Sequence, residues 1–304
     1  MLILVTGGLG AVGSPLVTEL RSRGHEVWIN DRHHHHDRQY LRGDVGEYRQ
    51  LEQVVTHRPF ELVYHLAAEF GRWNGEDFYE TMWRSNVIGT KNLLRLQERH
   101  RFRQVFFSSS EVYGDYSGEM SEDVMDRHEV KQMNDYALSK WVSEQQILNS
   151  AAMHGTETVR VRLFNTYGPG EPYSSYRSVI CRFVYSALHD LPYTVYNGHT
   201  RTSTYISDMT FTLANIAERF KPGEVYNLAG RSYHDIKTVS DMILRMTGKS
   251  EKLVTYSEGE PFTTKDKKVD ASKAARDLGH APKVGLEEGI AATVKWMREF
   301  YRVQ

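Results

Sequence analysis

Tyr136 and Lys140 are the two side chains whose types and spacing best suit chemistry in this sequence. Residues four apart lie on one face of a helix, about 5–6 Å apart at Cβ. An ammonium group at that distance favours the phenolate and lowers the pKa of the tyrosine from its ordinary value of about 10. The pair therefore predicts a general base that takes a proton from a hydroxyl group near neutral pH.

The surrounding sequence separates this pair from a second one, Tyr233 and Lys237, which has the same spacing. Only the first pair lies downstream of an apolar run, at residues 105–107, that ends in small polar residues and an acid. In a parallel sheet, such strand ends are where ligands bind. Ser109, Ser110 and Glu111 fall at such an end.

A glycine-rich loop close to the N-terminus predicts a dinucleotide site. The apolar run at residues 2–5 has the length of a buried parallel strand, and the apolar spacing after residue 12 is that of a helix. Glycines at such a turn let the backbone approach a pyrophosphate, to which the N-terminus of the helix offers free N–H groups. The predicted cofactor contacts in this loop are Gly7, Gly10, Ala11, Val12 and Gly13.

An acid at the end of the second predicted strand, residues 25–30, indicates which dinucleotide is bound. Asp31 would accept hydrogen bonds from the adenosine ribose and repel a 2′-phosphate, so NAD is the expected cofactor. Arg32 keeps NADP open as an alternative, because an arginine beside the ribose accommodates that phosphate.

Strand and helix patterns continue to alternate along the chain. Further strands are predicted at residues 41–45, 61–66, 104–109 and 158–163, and helices at residues 77–99 and 136–152. This alternation predicts an α/β fold with a doubly wound parallel sheet, the Rossmann arrangement. Residues at the ends of the third and fourth strands extend the predicted cofactor site: Asp44, Val45, Leu66, Ala67 and Ala68.

The composition excludes several classes of function. The 304 residues are 40% hydrophobic with a net charge of −1, so neither nucleic acid nor an anionic membrane is an expected partner. A lone cysteine, Cys181, excludes an intrachain disulfide, and no apolar run has the length of a transmembrane helix. The expected location is the cytoplasm. The four adjacent histidines at residues 33–36 cannot all converge on one ion, and no cluster of acids or cysteines accompanies them, so we predict no metal site.

Motifs spread over nearly the whole chain resemble the extended short-chain dehydrogenase/reductase family, specifically its nucleotide-sugar epimerases, dehydratases and decarboxylases. Besides the glycine loop, the serine cluster and the tyrosine–lysine pair, these motifs are His65-Leu-Ala-Ala68, Asn86-Val-Ile-Gly-Thr90, Val112-Tyr113-Gly114, Arg162-Leu-Phe-Asn165, Arg201 ahead of Tyr205-Ile-Ser-Asp208, Tyr226-Asn227 and Asp270-Ala-Ser-Lys273.

The resemblance implies a domain organisation and an assembly. Residues 1–164 would form the NAD-binding Rossmann domain, and residues 165–304 a smaller C-terminal α/β domain for a nucleotide-sugar substrate. The two would interleave, with a helix near residues 208–220 returning to the first domain. Relatives pair through the helices predicted at residues 77–99 and 136–152, so a homodimer is expected.

The resemblance also implies roles for individual residues. Tyr136 would take the proton of the sugar C4 hydroxyl while hydride passes to NAD. Lys140 would lower the pKa of Tyr136 and hold the nicotinamide ribose, and Ser109 would hydrogen-bond the same C4 oxygen. One further contact to the cofactor and two to the sugar diphosphate are implied, at Asn86, Asn165 and Arg201.

Glu111 bears on the step that follows oxidation at C4. A carboxylate there could remove the C5 proton of a 4-keto-sugar, which dehydratases require and simple epimerases do not. Ser110 stands where dTDP-glucose dehydratases have an aspartic acid, and serine is a poor proton donor. Serine followed by glutamate also resembles UDP-glucuronate decarboxylases, but these hold the carboxylate with an arginine where residues 265–268 offer only lysines, Lys265 among them. The sequence therefore ranks a 4,6-dehydratase or epimerase above a decarboxylase.

Other interpretations stay open at this stage. Residues 69–75 form a longer loop than relatives carry beside the sugar, with Glu69 as a predicted substrate contact. Loss of catalysis would leave a dinucleotide-binding regulator, although Tyr136, Lys140 and Ser109 are all present. A simple alcohol dehydrogenase is a further alternative, but it would not need a diphosphate clamp. The sequence does not identify the nucleotide or the sugar.

Overall fold

The computed structural model describes residues 1–303 and contains thirteen strands within them. In chain order the strands are β1 Leu2–Thr6, β2 Glu26–Asp31, β3 Tyr40–Arg42, β4 Leu62–His65, β5 Arg103–Ser109, β6 Thr158–Leu163, β7 Thr166–Tyr167, β8 Tyr193–Asn197, β9 Thr200–Tyr205, β10 Val225–Leu228, β11 Ser232–Asp235, β12 Val254–Glu258 and β13 Asp266–Lys267.

The helices alternate with these strands. They are α1 Gly13–Ser22, α2 Tyr48–Thr56, α3 Arg72–Asp77, α4 Tyr79–Trp83, α5 Gly89–His100, α6 Val124–Arg127, α7 Asp135–His154, α8 Val179–Leu188, α9 Ile206–Glu218, α10 Ile236–Thr247, α11 Ser272–Leu278 and α12 Leu286–Tyr301. A π-helical turn at Arg84–Ile88 precedes α5, and 3₁₀ turns lie at Ser110–Tyr113 and Glu251–Leu253.

Seven strands form one parallel sheet in the order β10-β6-β5-β4-β1-β2-β3. The sheet is buried on both faces, which is why its central strands are apolar runs without alternation. Helices α1, α9 and α11 cover one face through Leu16, Leu213 and Leu278, whereas α2 and α5 cover the other through Leu51 and Leu93. The predicted doubly wound parallel sheet is confirmed.

The C-terminal half contributes to this sheet and also builds a second core. Helix α9 packs against α1, and Arg23 of the loop after α1 donates to Asn215 Oδ1 of α9 at 2.7 Å. Strand β10 pairs with β6, a return that the sequence did not predict. The second core joins α8, α10 and α12 around Ile180, Ile243 and Ile290. The division at residue 164 stays a prediction.

Two predicted elements differ from the structure. The helix predicted at residues 77–99 starts earlier and breaks at Phe78, whose backbone (φ −138°, ψ 51°) is not helical, and it then widens into the π turn. The strand predicted to reach residue 45 ends at Arg42, because Asp44 forms a turn in which its Oδ1 accepts from Gly46 N at 2.8 Å.

Residues 1–303 contain neither a membrane-spanning helix nor a cluster of metal ligands. Within this range, no helix combines the length and the apolarity that crossing a membrane requires. The same residues contain no group of three or more histidine, cysteine or acidic side chains arranged to hold a metal ion, and His33 to His36 are exposed. Cys181 is free and buried, and burial raises the pKa of its thiol.

A buried charge network lies beneath the carboxyl ends of β5 and β6. Glu144 of α7 is fully buried and receives a bidentate pair from Arg162 of β6, with Nε–Oε1 at 3.0 Å and Nη2–Oε2 at 2.9 Å. Arg160 binds the same carboxylate at 3.2 Å, and the hydroxyl of Ser108 donates to it at 2.5 Å. These bonds fix α7 against the sheet, and the arginines hold the pKa of Glu144 at about 2.

Replacement of Glu144 by alanine should therefore destabilise the protein strongly. Because two buried arginines would lose their counter-charge, we expect a loss of about 3–5 kcal/mol in the free energy of unfolding. Denaturant titration followed by circular dichroism measures it. Glu287→Ala, which breaks an exposed pair with Arg245, is the matched control and should change stability by less than about 1 kcal/mol. Equal effects of the two variants would contradict the role of the network.

Candidate active site

A cavity of about 590 Å³ opens at the carboxyl ends of β1, β2, β4 and β5 and extends between the sheet and the C-terminal half. Its walls contain every predicted site residue except Asn86 and Lys265. Ligands of parallel sheets bind at this edge. The structure thus brings together residues that the sequence places far apart.

The glycine loop forms one end of the cavity and fits a dinucleotide. Gly7 has a φ of 70°, and a Cβ there would lie 2.6 Å from the backbone nitrogen of Ala67. A Cβ at Gly13 would lie 2.3 Å from the carbonyl oxygen of Gly7. No side chain caps α1, and the backbone N–H groups of Val12 and Gly13 at its start make no hydrogen bond within residues 1–303, so they stay available to an anion. The space and the donors are those that a pyrophosphate requires.

Asp31 and Arg32 lie where the ribose of the adenosine would bind. The Asp31 carboxylate accepts from Leu9 N and from His33 N, both at 3.3 Å, and it lines the cavity. Arg32 Nη1 lies 3.1 Å from Glu69 Oε1, so its charge is already paired. Because Glu69 occupies that guanidinium, the arginine is a poor site for a 2′-phosphate. The arrangement favours NAD over NADP.

Two predicted contacts, Asn86 and Lys265, do not line the cavity. Asn86 is buried in the π turn, where its Oδ1 accepts from Glu69 N at 2.8 Å and its Nδ2 donates to Glu69 O at 3.0 Å. It therefore fixes the loop that follows β4. Lys265 does not line the cavity, and its carbonyl oxygen accepts from Arg201 Nη1 at 2.9 Å. Neither side chain is therefore part of the cavity surface, where Asn86 was predicted to contact the cofactor and Lys265 the substrate.

The cavity narrows around Tyr136 and Ser109. Ser109 ends β5 and Tyr136 lies in the first turn of α7, which begins at Asn134, whose side chain accepts from Ala137 N at 2.7 Å. Burial raises the pKa of Tyr136 to about 12, and the hydrogen bond with the Ser109 side chain opposes this rise. The expectation of a lowered tyrosine pKa is wrong for this arrangement, because the phenolate is desolvated.

Lys140 is placed to act on Tyr136 but is itself perturbed. Its ammonium donates to the carbonyl oxygen of Phe107 at 2.8 Å and lies 5.9 Å from the centroid of the Tyr136 ring. Burial lowers the pKa of Lys140 to about 7, and the charge of Glu144 opposes the change. The predicted tyrosine–lysine pair is thus formed, with a lysine that titrates near neutral pH.

Glu111 is held as an anion by a residue that the sequence did not single out. Its Oε1 accepts from the Nζ of Lys267, a buried lysine of β13. Burial of Glu111 would raise the pKa of its carboxyl, but the charges of Lys267 and Arg72 outweigh burial and hold it at about 2. Ser110 begins the 3₁₀ turn beside it and is buried. Glu111 is therefore a weak base with a stable negative charge.

Asn165 and Arg201 lie at the C-terminal side of the cavity. Asn165 has a positive φ of 36° and donates to Thr202 O at 3.1 Å. Arg201 is buried; it donates to Thr200 O at 2.8 Å and lies 3.6 Å from Glu260 Oε2. Both line the cavity, as expected of residues that face a substrate.

Several charged residues of this wall were missed by the sequence-based prediction. They lie in segments without a recognisable motif, and only the charge itself was visible: Arg72, Arg177, Arg182 and Glu260. Lys267, which does not line the cavity but binds Glu111, was missed as well. The lysines at residues 265–268 were noted as a group, but β13 spans only two residues, so no periodic pattern in the sequence singles out Lys267.

Known proteins resemble this chain over most of its length. The sequence model of the NAD dependent epimerase/dehydratase family matches residues 3–229. The chain is 31% identical to UDP-N-acetyl-alpha-D-glucosaminuronate decarboxylase of Bacillus cytotoxicus, covering 97% of each chain. It is 30% identical to UDP-glucuronic acid decarboxylase 1 of Xenopus tropicalis, covering 98% of this chain and 72% of that protein.

A solved structure shows the same fold at full length. MoeE5 in complex with UDP-glucuronic acid and NAD is similar with a TM-score of 0.87 and 28% identity. The similarity covers 99% of this chain and 100% of that chain. The resemblance therefore includes both the parallel sheet and the C-terminal half.

Replacement of Lys267 by methionine should raise the pKa of Glu111. With the largest opposing charge removed, burial moves the carboxyl from about 2 into the ordinary range of about 4 or above. Protein labelled with ¹³C at glutamate Cδ is titrated between about pH 3 and 6, and Glu111→Gln assigns the signal. Lys268→Met, next in the chain and exposed, is the matched control. A Glu111 signal that does not titrate in the Lys267 variant would show that the ion pair does not set this pKa.

Proposed function

We propose that this chain, which belongs to the NAD-dependent epimerase/dehydratase family, oxidises C4 of a nucleoside-diphosphate sugar and completes its reaction on the 4-keto-sugar. The family, the NAD cofactor and the enzymatic nature that the sequence predicted are confirmed. The observation that supports the proposal is the grouping of Ser109, Tyr136 and Lys140 in the cavity that the glycine loop enters.

Each of these residues has a role that its environment supports. NAD, when bound, supplies the hydride acceptor. Tyr136 takes the proton of the C4 hydroxyl as the phenolate; because burial raises the pKa of Tyr136 to about 12, a neighbouring cation is needed to form that phenolate. Ser109 binds the same oxygen, because its side chain already contacts Tyr136. Lys140 is the cation that stabilises the phenolate when both are ionised.

The end of the cavity formed by the C-terminal half suits the diphosphate of the substrate. The buried Nε of Arg182 has no hydrogen-bond partner among residues 1–303, and burial lowers the pKa of its guanidinium. Arg177 lies over the ring of Phe70, with its Cζ 4.1 Å from the ring centroid. Both line the cavity with Arg201. Arginine is suited to phosphate because its planar fork donates in parallel.

Decarboxylation is a second candidate for the step after oxidation, and the Glu111–Lys267 pair favours it. Dehydration requires a base for the C5 proton, and a carboxylate with a pKa of about 2 is a weak one. A 4-keto-hexuronate needs no such base. Its C5–C6 bond breaks, the electron pair passes into the enolate of the C4 ketone, carbon dioxide leaves, and C5 then takes a proton. Two relatives are named as decarboxylases of UDP-linked uronates.

Product mass decides among the reactions. The protein and NAD are incubated with UDP-, dTDP-, GDP- and CDP-sugars, including UDP-glucuronate, and products are separated and weighed. Loss of carbon dioxide means decarboxylation, loss of water means dehydration, and an unchanged mass with a new retention time means epimerisation. No product with any of these donors would contradict the proposed function.

Two variants separate the shared step from the later one. Tyr136→Phe should lower every activity by about 10²-fold or more, because all outcomes begin with removal of the C4 hydroxyl proton. Glu111→Gln should abolish dehydration but leave 4-epimerisation largely intact. Product formation is followed under single-turnover conditions with both proteins folded, as judged by circular dichroism. Full activity of Tyr136→Phe would overturn the mechanism.

We further propose a homodimer formed through α7 and the helical segment before α5. Large apolar side chains are exposed there although most such residues of this chain are buried: Phe78, Tyr79, Ile88, Trp141, Leu148 and Met153. An apolar face of this kind is typical of a self-association surface.

Ile88→Glu should therefore produce monomers, because it places a charge in the apolar contact. Light scattering coupled to size-exclusion chromatography measures the mass. Leu191→Glu, at an exposed leucine outside these helices, should leave the dimer intact. A monomeric unaltered protein, or an unchanged dimer in the Ile88 variant, would contradict this interface.

A further inference from the structure

The segment after β4 positions Arg72 at the substrate end of the cavity. Gly71 has a φ of 94°, and a Cβ there would lie 2.8 Å from the carbonyl oxygen of Tyr176. The ring of Trp73 packs edge-on against Phe262 with centroids 5.6 Å apart. The segment thus contacts two separate stretches of the C-terminal half on either side of Arg72. These contacts fix the direction of the arginine.

The guanidinium of Arg72 uses only some of its N–H donors in hydrogen bonds to the protein. Its side chain is 17% exposed and lines the cavity. Nη2 donates to Glu260 Oε1 at 2.7 Å, and Nη1 donates to Pro261 O at 3.3 Å. An arginine has five N–H donors. The remaining donors are available to a ligand in the cavity.

Arg72 belongs to a connected set of charges next to the reacting groups. Glu260 binds Arg72 through one oxygen and lies 3.6 Å from Arg201 through the other. Arg201 and Lys267 are paired in register on β9 and β13. Lys267 in turn binds Glu111, whose backbone N–H donates to Ser109 Oγ at 3.2 Å. The cations therefore extend to the position expected for the sugar ring.

Charge balance indicates what this end of the cavity binds. Lys267 does not line the cavity, but its ion pair neutralises Glu111. Four arginines of the wall then stand against the one carboxylate of Glu260, which leaves three positive charges: the arginines are Arg72, Arg177, Arg182 and Arg201. Glu171 also lines this wall; burial raises the pKa of its carboxyl and so favours the neutral form, whereas the two hydrogen bonds that Ser178 donates to its oxygens oppose this rise. The two negative charges of a sugar diphosphate compensate two of these three positive charges. Uncompensated charge in a buried site is costly, so a third negative charge on the substrate is expected.

We propose that Arg72 is a specificity-determining residue that binds a carboxylate on the sugar, so that the substrate is a nucleoside-diphosphate hexuronate. This rests on the proposed function, since it assumes that a nucleotide sugar enters the cavity. Arg72 selects the substrate by pairing with the carboxylate, and a neutral hexose leaves the third charge uncompensated.

Calorimetric titration of the NAD-loaded protein tests the proposal with two probes, UDP-glucuronate and UDP-glucose. The readout is the ratio of their dissociation constants, which cancels losses common to both ligands. The unaltered protein should prefer UDP-glucuronate, and Arg72→Gln should reduce this preference by about tenfold or more. Arg95→Gln, an exposed arginine paired with Glu98 on α5, is the matched control and should retain the preference.

The variant Glu260→Gln distinguishes recognition of the sugar carboxylate by Arg72 from a purely structural role of Arg72. It removes the ion pair of Arg72 but keeps the cation, so the preference for UDP-glucuronate should be preserved or increased. A purely structural Arg72 would instead make both variants weaken the two ligands equally, and that result overturns the proposal. Equal affinity of the unaltered protein for both probes would also overturn it, while leaving the proposed function in place. Binding of neither probe would overturn both.

Discussion

The buried carboxylate of Glu144 is the interaction on which the geometry of the site depends. A charge in this position is tolerated only with its partners in place, and Arg162 and Ser108 bind it from β6 and β5. Arg162 also donates to the hydroxyl of Tyr113, which donates to Asn227 of β10. One network therefore ties α7 to three neighbouring strands of the sheet. Because Tyr136 and Lys140 lie on the same helix, their positions relative to Ser109 follow from it.

Burial sets the proton affinities inside the cavity. It raises the pKa of Tyr136 to about 12 and lowers that of Lys140 to about 7, in each case by penalising the charged form. Glu111 is the exception, because Lys267 outweighs the same penalty. The site therefore combines a tyrosine of high proton affinity with a fixed carboxylate. Such a combination suits proton transfer at a hydroxyl better than proton abstraction from carbon.

Contacts between the two halves of the chain complete the site. Lys267 reaches Glu111 across 156 residues of sequence, and Arg72 reaches Glu260 across 188. Both pairs join the segment after a strand of the parallel sheet to the C-terminal half. They explain why charged residues without a motif line the cavity beside the motif residues. Each of these pairs is neutral, so the positive potential at this end of the cavity comes from the further arginines Arg177, Arg182 and Arg201.

The sequence by itself determined the parallel α/β fold, the glycine loop, Asp31 and the grouping of Ser109 with Tyr136, because these follow from patterns between neighbouring residues. Strand length, glycine placement and four-residue spacing are local, and the parallel sheet brings successive strand ends to one edge. Only the tertiary structure decided the pKa of Tyr136, the partner of Glu111 and the absence of Asn86 from the cavity wall. Burial and long-range ion pairs depend on which distant segments meet, and no local pattern records that.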